Sequence, residues 1–524
     1  MIRYARGPVS FLYRDVKSQK TGKIRRTKSK QILWGDWVRV TGPDARPGWS
    51  KVKYGLRSYL MKDADLQPER VLEIIFLDVG QGDGCILTEP GSHPDPRILV
   101  VDAGIGKNMN AFLKWRYKDF PETGNLHAAV ITHPDQDHYK GFQNIFDNEA
   151  IQIAHVWHNG LIERTGNDLL GPASGGYQTD LRNTNDDAAA LLSVAANRGR
   201  KNYPKLLHSA LTSPRIGPVE ALHTGAGMVE DGRVYVPGFA PSSPGPLSIE
   251  VLGPVVEPDA LGRPRLRQFG ATPTSTSPDD GKTKNGHSIL LRLDFNGFRV
   301  LFGGDLNTPS ESFLMGWYGD GGRVPPPLSG HSPLLARISR PEVIAAAAER
   351  FRVDLMKTCH HGSSDVTEEF LQASEPTAYV ISSGDEESHV HPRPDLLGLL
   401  GKSGRGARPL LLSTELLRST RERDDPDLAR KLETIGNRIE AEVVKGAGAD
   451  ADKLKAMRSE QKTLRKRVNY RNVGVYGAVN LRTDGENAVI AFRKESGPET
   501  TRWFYYELQR DAATGQFHTV LKGH

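Results

Sequence analysis

The amino-acid sequence predicts an α/β protein with more than one domain, and three observations lead to this fold class. Apolar β runs separated by Gly and Asp turns fill residues 70–104. From residue 298 onward, strand-like and helix-like segments alternate at a spacing typical of α/β layers. The chain has 524 residues. At roughly 100–200 residues per domain, two or three domains are expected.

Composition narrows the class of protein. The net charge is +6, and 25% of the residues are charged, as in ordinary globular domains, so wholesale disorder is not expected. The two cysteines, Cys85 and Cys359, are too few for a disulfide scaffold or a four-cysteine zinc module. We find no apolar run of about 18 residues and no apolar N-terminal signal segment. We therefore expect a soluble, cytoplasmic protein.

Residues 1–67 are predicted to form a small β module. Short β segments are broken by Gly/Pro turns, and the pattern resembles bacterial SH3-like barrels, which usually bind or position something, including a protein partner. Residues 1–30 contain one acid, Asp15, and ten basic residues: Arg3, Arg6, Arg14, Lys17, Lys20, Lys23, Arg25, Arg26, Lys28 and Lys30. This +9 segment is either a surface that holds nucleic acid through phosphate contacts or a solvated basic hairpin.

The middle of the chain divides into a strand-rich part and a weakly patterned part. The run HAAVITH, which ends at His133, reads as a buried strand after a helix-like segment. Residues 159–284 are rich in Gly, Pro, Ser and Thr and too long for a simple loop, so we expect an insertion with little regular structure. A β-hairpin with its turn at Asn296–Gly297 follows, and a helix begins near Pro341.

The C-terminal part is predicted to contain two further units. Residues 401–470 are expected to form a highly charged helical hairpin, because apolar residues recur there on one helical stripe. Residues 471–524 return to strands and are expected to form a C-terminal β extension. The predicted hydrolase domain discussed below lies between the N-terminal module and this hairpin, at residues 70–400.

The clearest functional signal is the segment ITHPDQDHYKGF. It places His133, Asp135, Asp137 and His138 within six residues, directly after an apolar strand. Imidazole and carboxylate groups bind zinc and harder divalent ions alike. Four such side chains on one strand-end loop are a poor match to an ordinary polar loop, so a metal site is predicted.

Further polar residues follow other predicted strands. Asp305 ends the apolar run LFGGDL, and His360 and His361 stand in HHGSS. His287 begins the hairpin, and His391 follows the strand AYVISSG. His360 is interpreted as a neighbour of the site rather than a ligand, because adjacent residues on a strand point in opposite directions. Polar groups at several strand ends predict one site at the edge of a sheet.

These motifs together resemble the metallo-β-lactamase fold. The order IIFLDVGQGDGCILTEPG, VVDAG, THPDQDH, GGDL, HHGS and a late His-Pro is more narrowly similar to the hydrolase domain of ComEC/Rec2-type DNA-uptake proteins. The similarity covers roughly residues 72–400 and implies a four-layer αββα sandwich with two divalent ions, zinc or manganese. The uptake proteins also carry a membrane channel that this chain lacks, so a soluble relative is implied.

The resemblance also implies roles for individual residues. The implied metal ligands are His133, Asp135, Asp137, His138, His287, Asp305 and His361. Asp305 would bridge the two ions, and Asp102 would orient a ligand. Asp137 and His391 are the catalytic candidates, with His391 donating a proton to the leaving oxygen or binding the phosphate. The GQGDG segment is followed by a β run, so it does not fit a dinucleotide-binding loop, and we assign no ligand to it.

Three functions remain open from the sequence. The preferred one is a metal-dependent phosphodiesterase or nuclease acting on DNA through a metal-activated water. The second is hydrolysis of a small molecule such as a lactone, amide or nucleotide, because one fold hosts many reactions. The third, a non-catalytic binding protein, is disfavoured because Asp305 and the H-x-D-x-D-H residues are all present.

Overall fold

The structure is a computed structural model. It describes residues 1–80, 82–91, 96–117, 124–166, 168–271, 277–328, 332–384, 391–414, 426–472, 479–494 and 497–520. Within these ranges no helix has both the length and the apolar surface that a bilayer-crossing segment needs.

Seven strands form the N-terminal unit. They are β1 (Ile2–Ala5), β2 (Val9–Lys17), β3 (Ile24–Leu33), β4 (Trp37–Pro43), β5 (Trp49–Tyr54), β6 (Arg57–Lys62) and β7 (Leu66–Gln67). They make one sheet in the order β3-β2-β6-β5-β4-β1-β7 around a small core that includes Leu12, Ile32 and Val52. Among the described residues no pairing of β3 with β7 closes this sheet into the expected barrel. With two residues, β7 offers few backbone groups for such a closure.

The next segment builds most of a first core sheet and its covering helices. Its elements are β8 (Leu72–Phe76), β9 (Gly84–Thr88), β10 (Ile98–Ala103), α1 (Asn108–Tyr117), β11 (Asn125–Val130), α2 (Gln136–Tyr139), α3 (Phe142–Phe146) and β12 (Gln152–His158). Every residue of β8, β9 and β10 is buried, as expected for strands covered on both faces.

Residues 159–284 contain more regular structure than the sequence interpretation allowed. They form β13 (Ala173–Ser174), β14 (Tyr177–Gln178), α4 (Asn185–Ser193), α5 (Ala195–Arg198), α6 (Asn202–Thr212), β15 (Val219–Ala221), β16 (Met228–Glu230), β17 (Arg233–Tyr235), β18 (Leu247–Gly253), β19 (Leu266–Arg267) and α7 (Asp280–Gly286). The prediction of a weakly structured insertion was wrong chiefly at β18, which pairs with a core strand. The short elements lie between Gly/Pro turns, which hid their periodicity.

The following segment supplies the second core sheet. It contains β20 (Leu290–Phe295), β21 (Phe298–Phe302), α8 (Thr308–Gly319), α9 (Ser332–Ile338), α10 (Pro341–Phe351), β22 (Leu355–Lys357), α11 (Glu368–Ser374), β23 (Ala378–Ile381), α12 (Pro394–Ser403) and β24 (Leu410–Ser413). The β20–β21 hairpin turns at Asn296 and Gly297, both of which have positive φ, as the Asn-Gly pair predicted.

The C-terminal part forms a helical hairpin and four strands. They are α13 (Pro426–Val443), α14 (Ala451–Asn472), β25 (Val479–Thr483), β26 (Asn487–Arg493), β27 (Trp503–Arg510) and β28 (Phe517–Val520). Residues 415–425 and 473–478, which fall in the predicted hairpin and β extension, lie outside the described residues. Because β25 pairs antiparallel with β8, the C-terminal strands extend the first core sheet.

The two large sheets pack face to face and confirm the predicted α/β fold class with four layers. One has ten strands in the order β15-β12-β11-β10-β9-β8-β25-β26-β27-β28, and the other has eight in the order β16-β17-β18-β20-β21-β22-β23-β24. Their inner faces share one apolar core, to which β8, β20, β22 and β25 all contribute. Separate clusters join α1 and α6 to the first sheet and α8, α10 and α12 to the second.

A buried ionic network links the N-terminal unit to the first core sheet. Arg482 of β25 lies 2.6 Å from Glu73 of β8 and 3.6 Å from Asp36 of the N-terminal unit, while Arg116 of α1 lies 2.7 Å from Glu73. Burial acts to raise the pKa of Glu73, but Arg116 and Arg482 outweigh it and lower the pKa to about 2. The N-terminal unit is therefore held against the core by charges that lie out of water.

Candidate metal centre

Polar side chains from distant parts of the chain meet where several core strands end. His133 and His138 follow β11, Asp305 follows β21, and His361 lies in a 3-10 turn, His360–Gly362, after β22. Asp83 directly precedes β9, which runs antiparallel to β10, so it lies at the same edge. Strands that are neighbours in a sheet end at the same edge, even when they are far apart in the chain. The residues that follow these strands therefore lie close together.

Three side chains, His138, His361 and Asp305, form a triangle at the centre, in which Asp305 turns Oδ1 toward His138 and Oδ2 toward His361. Nε2 of His138 lies 3.2 Å from Nε2 of His361, and each of these nitrogens lies 3.2 Å from an oxygen of Asp305. Ligand atoms about 2.0–2.1 Å from a tetrahedral zinc ion lie about 3.3 Å apart. The spacing between the two nitrogens, and between each nitrogen and its nearer Asp305 oxygen, therefore suits a small divalent ion.

Both imidazole rings at the centre are oriented through their Nδ1 atoms. Nδ1 of His138 lies 2.8 Å from a carboxylate oxygen of Asp102, and Thr132 donates to the same carboxylate from its backbone nitrogen and its hydroxyl. Nδ1 of His361 lies 3.1 Å from the carbonyl oxygen of Ser382. These acceptors place the proton on Nδ1 and leave Nε2 as the ligand atom. Asp102 thus lies where its expected orienting role requires.

Asp83 belongs to the centre, although the sequence interpretation assigned it no role. Its Oδ1 lies 3.0 Å from Nδ1 of His361, and its Oδ2 contacts the ammonium of Lys357, which is also buried. The backbone nitrogen of Asp83 donates to the carbonyl of Asp137 over 3.3 Å. Gly82 makes this approach possible, because a Cβ there would lie 1.7 Å from that carbonyl oxygen.

The charges at the centre stabilise one another. Burial acts to raise the pKa of Asp305, but His138 and His361 outweigh it and hold the pKa well below its usual value. Burial acts to lower the pKa of His138 and of His361, but in both rings the facing carboxylates raise it well above its usual value. A metal ion must displace the protons on these rings, so metal affinity should increase as the pH rises.

His133 and Asp135 lie beside this triangle and have different surroundings. Nε2 of the fully buried His133 lies 3.6 Å from Asp135 and 3.9 Å from Asp305. The carboxylate of Asp135 contacts the ammonium of Lys284 through Oδ1. Its Oδ2 lies 2.9 Å from the amide nitrogen of Asn285 in the orientation that satisfies both groups. Two neighbouring residues of α7 therefore hold Asp135.

Three predicted residues lie at the partly exposed mouth of the centre. Asp137 lies 3.5 Å from Nε2 of His361, and His360 lies 3.9 Å from Asp305. The rings of His360 and His391 are 5.9 Å apart. His360 is a neighbour of the site, as predicted, but not for the predicted reason, because His360 and His361 both adopt positive φ in a turn rather than alternating along a strand.

The structure does not bring His287 to the centre. Its Nε2 lies 2.6 Å from the carbonyl oxygen of Arg267, to which it donates, and its ring packs against Phe269. The imidazole therefore stabilises the segment before α7, and the expectation of a metal ligand at this position is corrected.

The residues present fit a divalent ion. Asp83, His138, Asp305 and His361 offer ligand atoms that all lie within 4.8 Å of one another, and this is the one such group in the described part of the chain. A buried atom of the same region, His133 Nε2, has no hydrogen-bond partner. Buried polar atoms seldom stay without a partner unless a ligand supplies one.

Comparisons with known proteins give limited information. No family model matches the chain, and no curated protein matches it. Among solved structures, the chain is similar to the metallo-β-lactamase fold protein YhfI from Bacillus subtilis, with 7% identity, a TM-score of 0.29, and coverage of 65% of this chain and 96% of that one. It is also similar to a variant of the CmlA β-hydroxylase, with 10% identity and a TM-score of 0.30. That match covers 67% of this chain and spans about half, 54%, of the CmlA chain.

Proposed function

We propose that the protein is a metal-dependent hydrolase of phosphodiesters, with DNA as the preferred substrate. The observation that carries this proposal is the 3.2 Å triangle of His138, His361 and Asp305 at the edge of a four-layer sandwich. Two imidazole nitrogens and a carboxylate, each fixed by buried neighbours, are typical of catalytic centres that keep a position open for water or substrate.

The chain would hold a divalent ion through His138, His361 and Asp305, with Asp83 beside them. Zinc and manganese both suit such nitrogen and oxygen ligands. When bound, the ion supplies a nucleophile near neutral pH and withdraws charge from a phosphoryl oxygen. Asp102 and Ser382 keep both imidazoles in the productive orientation, so their positions change little when substrate arrives.

Groups at the mouth of the centre supply the remaining chemistry. Asp137, partly exposed beside His361, is placed to accept a hydrogen bond from an attacking water. His360 and His391 form the other side of the opening and can donate to a phosphate or to a leaving oxygen. Burial lowers the pKa of His360, so this ring is mainly neutral at neutral pH and free to donate one hydrogen bond.

The N-terminal unit supports nucleic acid as the substrate. Its long β2–β3 hairpin exposes Lys17, Lys20, Lys23 and Arg25 near the tip. Arg26, by contrast, is paired with Asp15 and Asp44, so part of the +9 segment is neutralised within the fold. A projecting cationic tip can contact phosphates without base recognition, which fits binding to DNA of any sequence.

A substrate panel tests the proposal. Purified full-length protein, stripped of metal and reloaded with Mn²⁺ or Zn²⁺, is incubated with single-stranded DNA, double-stranded DNA, RNA, a generic phosphodiester and a lactone. We expect metal-dependent cleavage of phosphodiesters and a loss of roughly 10²–10³-fold in rate for Asp305→Asn, as is typical when a charge-stabilising group is removed. A distant aspartate on α4, substituted as Asp186→Asn, serves as the control.

Two outcomes would contradict the proposal. Turnover of the lactone with every phosphodiester intact would replace it by small-molecule hydrolysis. Equal cleavage by wild-type protein and Asp305→Asn would show that the activity does not come from this centre.

A further inference from the structure

A lysine, Lys284, lies next to the position at which the family resemblance implies another ion. Beside the triangle, and apart from Asp137 and His360 at its mouth, His133 and Asp135 are the described residues placed to help hold another ion. His287, which the family resemblance implied as a third ligand, donates to a backbone carbonyl instead. A second ion would therefore depend heavily on Asp135.

Both oxygens of Asp135 already have partners. Oδ1 contacts the ammonium of Lys284, and Oδ2 lies within hydrogen-bond distance of the Asn285 amide. The geometry at His133 is also looser, since its Nε2 lies 3.6 Å from Asp135 and 3.9 Å from Asp305, whereas the imidazole nitrogens of His138 and His361 each lie 3.2 Å from an Asp305 oxygen. An ion at this position would have to displace the ammonium from its carboxylate.

The Lys284 side chain is mostly buried and contacts two carboxylates. The exposed fraction of its side chain is 13%, and its ammonium also lies 3.4 Å from a carboxylate oxygen of Glu163. It stands on α7, whose first turn is capped by the Asp279 side chain accepting from the backbone nitrogen of Lys282. A second cation beside this ammonium would be repelled.

We propose that the centre binds a single divalent ion tightly and that the Lys284 ammonium takes the place of a second ion. This inference rests on the proposed function, which requires at least one ion at the triangle. Lys284 then balances the charge of Asp135, as a second ion would otherwise do. Lysine offers a compact point charge with three donors, which suits contact with a phosphate oxygen.

Metal counting on the full-length protein tests the inference. Chelator-stripped protein is titrated with Mn²⁺ and with Zn²⁺ in calorimetry and equilibrium dialysis, with metal analysis of the dialysed protein. We expect one tight equivalent for wild type and for Lys282→Met, the matched loss of an exposed lysine two residues away on the same helix. For Lys284→Met, we expect a second equivalent whose affinity rises at least tenfold over any weak second binding in wild type.

A spectroscopic measurement and a second variant keep the inference testable if Lys284→Met folds poorly. Electron paramagnetic resonance of Mn²⁺-saturated wild type should show isolated ions and no exchange-coupled pair. Asp135→Asn should leave the single equivalent in place with an affinity change below threefold, whereas Asp305→Asn should abolish it.

The results distinguish this inference from the proposed function. Two tight equivalents or a coupled pair in wild type would overturn the single-ion centre while leaving metal-dependent hydrolysis intact. A single equivalent that persists in folded Lys284→Met would show that Lys284 does not exclude the second ion. No bound metal in wild type would overturn both proposals. One bound metal without any hydrolysis would overturn only the function.

Discussion

Individual residues at the centre owe their properties to buried partners. Asp102 has positive φ and accepts three hydrogen bonds, two from Thr132 and one from His138. A non-glycine residue in this backbone region costs free energy, and such strain is maintained where the surroundings fix the residue for a function. Asp102 thus fixes the His138 ring, and in the proposed centre it would act on the ion through His138 as a positioning residue.

We predict that Asp102→Asn weakens metal binding without unfolding the protein. The amide keeps the shape of the side chain but cannot hold the His138 ring as a carboxylate does, and losses of partners behind a ligand typically cost about 10–100-fold in metal affinity. Calorimetric titration with Zn²⁺ measures the effect, with Asp186→Asn on α4 as the control. Unchanged affinity in a variant with a normal circular dichroism spectrum would contradict the orienting role.

Glu311 of α8 is a fully buried carboxyl group that the centre does not use. It accepts from the backbone nitrogen and hydroxyl of Thr367, yet burial dominates and raises its pKa to about 8. The folded state therefore keeps this proton up to about pH 8, whereas the unfolded chain releases it near the ordinary glutamate pKa of about 4.3. Its contribution to stability is complete at pH 4 and is lost as the pH rises toward 8.

We predict that Glu311→Gln removes this loss of stability at high pH. The amide resembles the protonated carboxyl and still accepts from Thr367. The melting temperature of the variant should exceed that of wild type at pH 8, and the difference should shrink toward zero at pH 4.5. Thermal unfolding of both proteins across this pH range measures it, and a pH-independent difference would mean that Glu311 is ionised in the folded protein.

At the scale of elements, loops at strand ends set the geometry of the centre. The loop before β9 must pass so close to Asp137 that position 82 has no room for a side chain. Gly80 in the same loop also has positive φ, but a Cβ there would meet nothing within 4 Å. A side chain at position 80 would therefore meet only the strain of the positive φ, whereas a side chain at position 82 would also collide with Asp137.

We predict that Gly82→Ala lowers metal affinity by at least tenfold, because the loop must move and carry Asp83 away from His361. Gly80→Ala is the matched control, since it carries the backbone strain, of order 1 kcal/mol, without the collision. Metal titration and thermal unfolding of both variants distinguish the two effects. Equal metal affinity in both variants would show that the approach of Asp83 does not matter to the ion.

At the scale of the whole molecule, the sequence predicts local groupings well and distant contacts less well. His133 to His138 are close in the chain, so their pattern was visible without a fold. Asp83 was missed because its two glycines suggested a turn and its partner, His361, lies far along the chain. The contacts of Lys284 and His287 could not be predicted from the sequence for another reason. Both depend on residues 159–284, whose short elements gave no clear periodicity.

The distribution of charge over the whole molecule gives a prediction about DNA binding. Replacing Lys20, Lys23 and Arg25 at the β2–β3 tip by Gln should weaken binding to single-stranded DNA. It should also reduce the slope of log K against log salt by about 0.7 for each phosphate that the variant no longer neutralises. Fluorescence anisotropy at several salt concentrations measures both quantities.

The matched control removes the same charge elsewhere. Lys455, Arg458 and Lys462 are exposed on α14, and their replacement by Gln should leave the slope unchanged. Equal effects of the two triple variants would assign the binding to net charge rather than to the hairpin tip.

The pairing of β8 with β25 has a consequence for how the chain is made. The two strands are about 400 residues apart, and synthesis at about 5–20 residues per second separates their appearance by roughly 20–80 s. Throughout that time the fully buried strand β8 has an unpaired edge next to β9, and such edges readily pair with other chains. Truncation between Phe76 and Val479 should therefore yield an aggregating product, and the nascent protein should depend on chaperones until its last strands emerge.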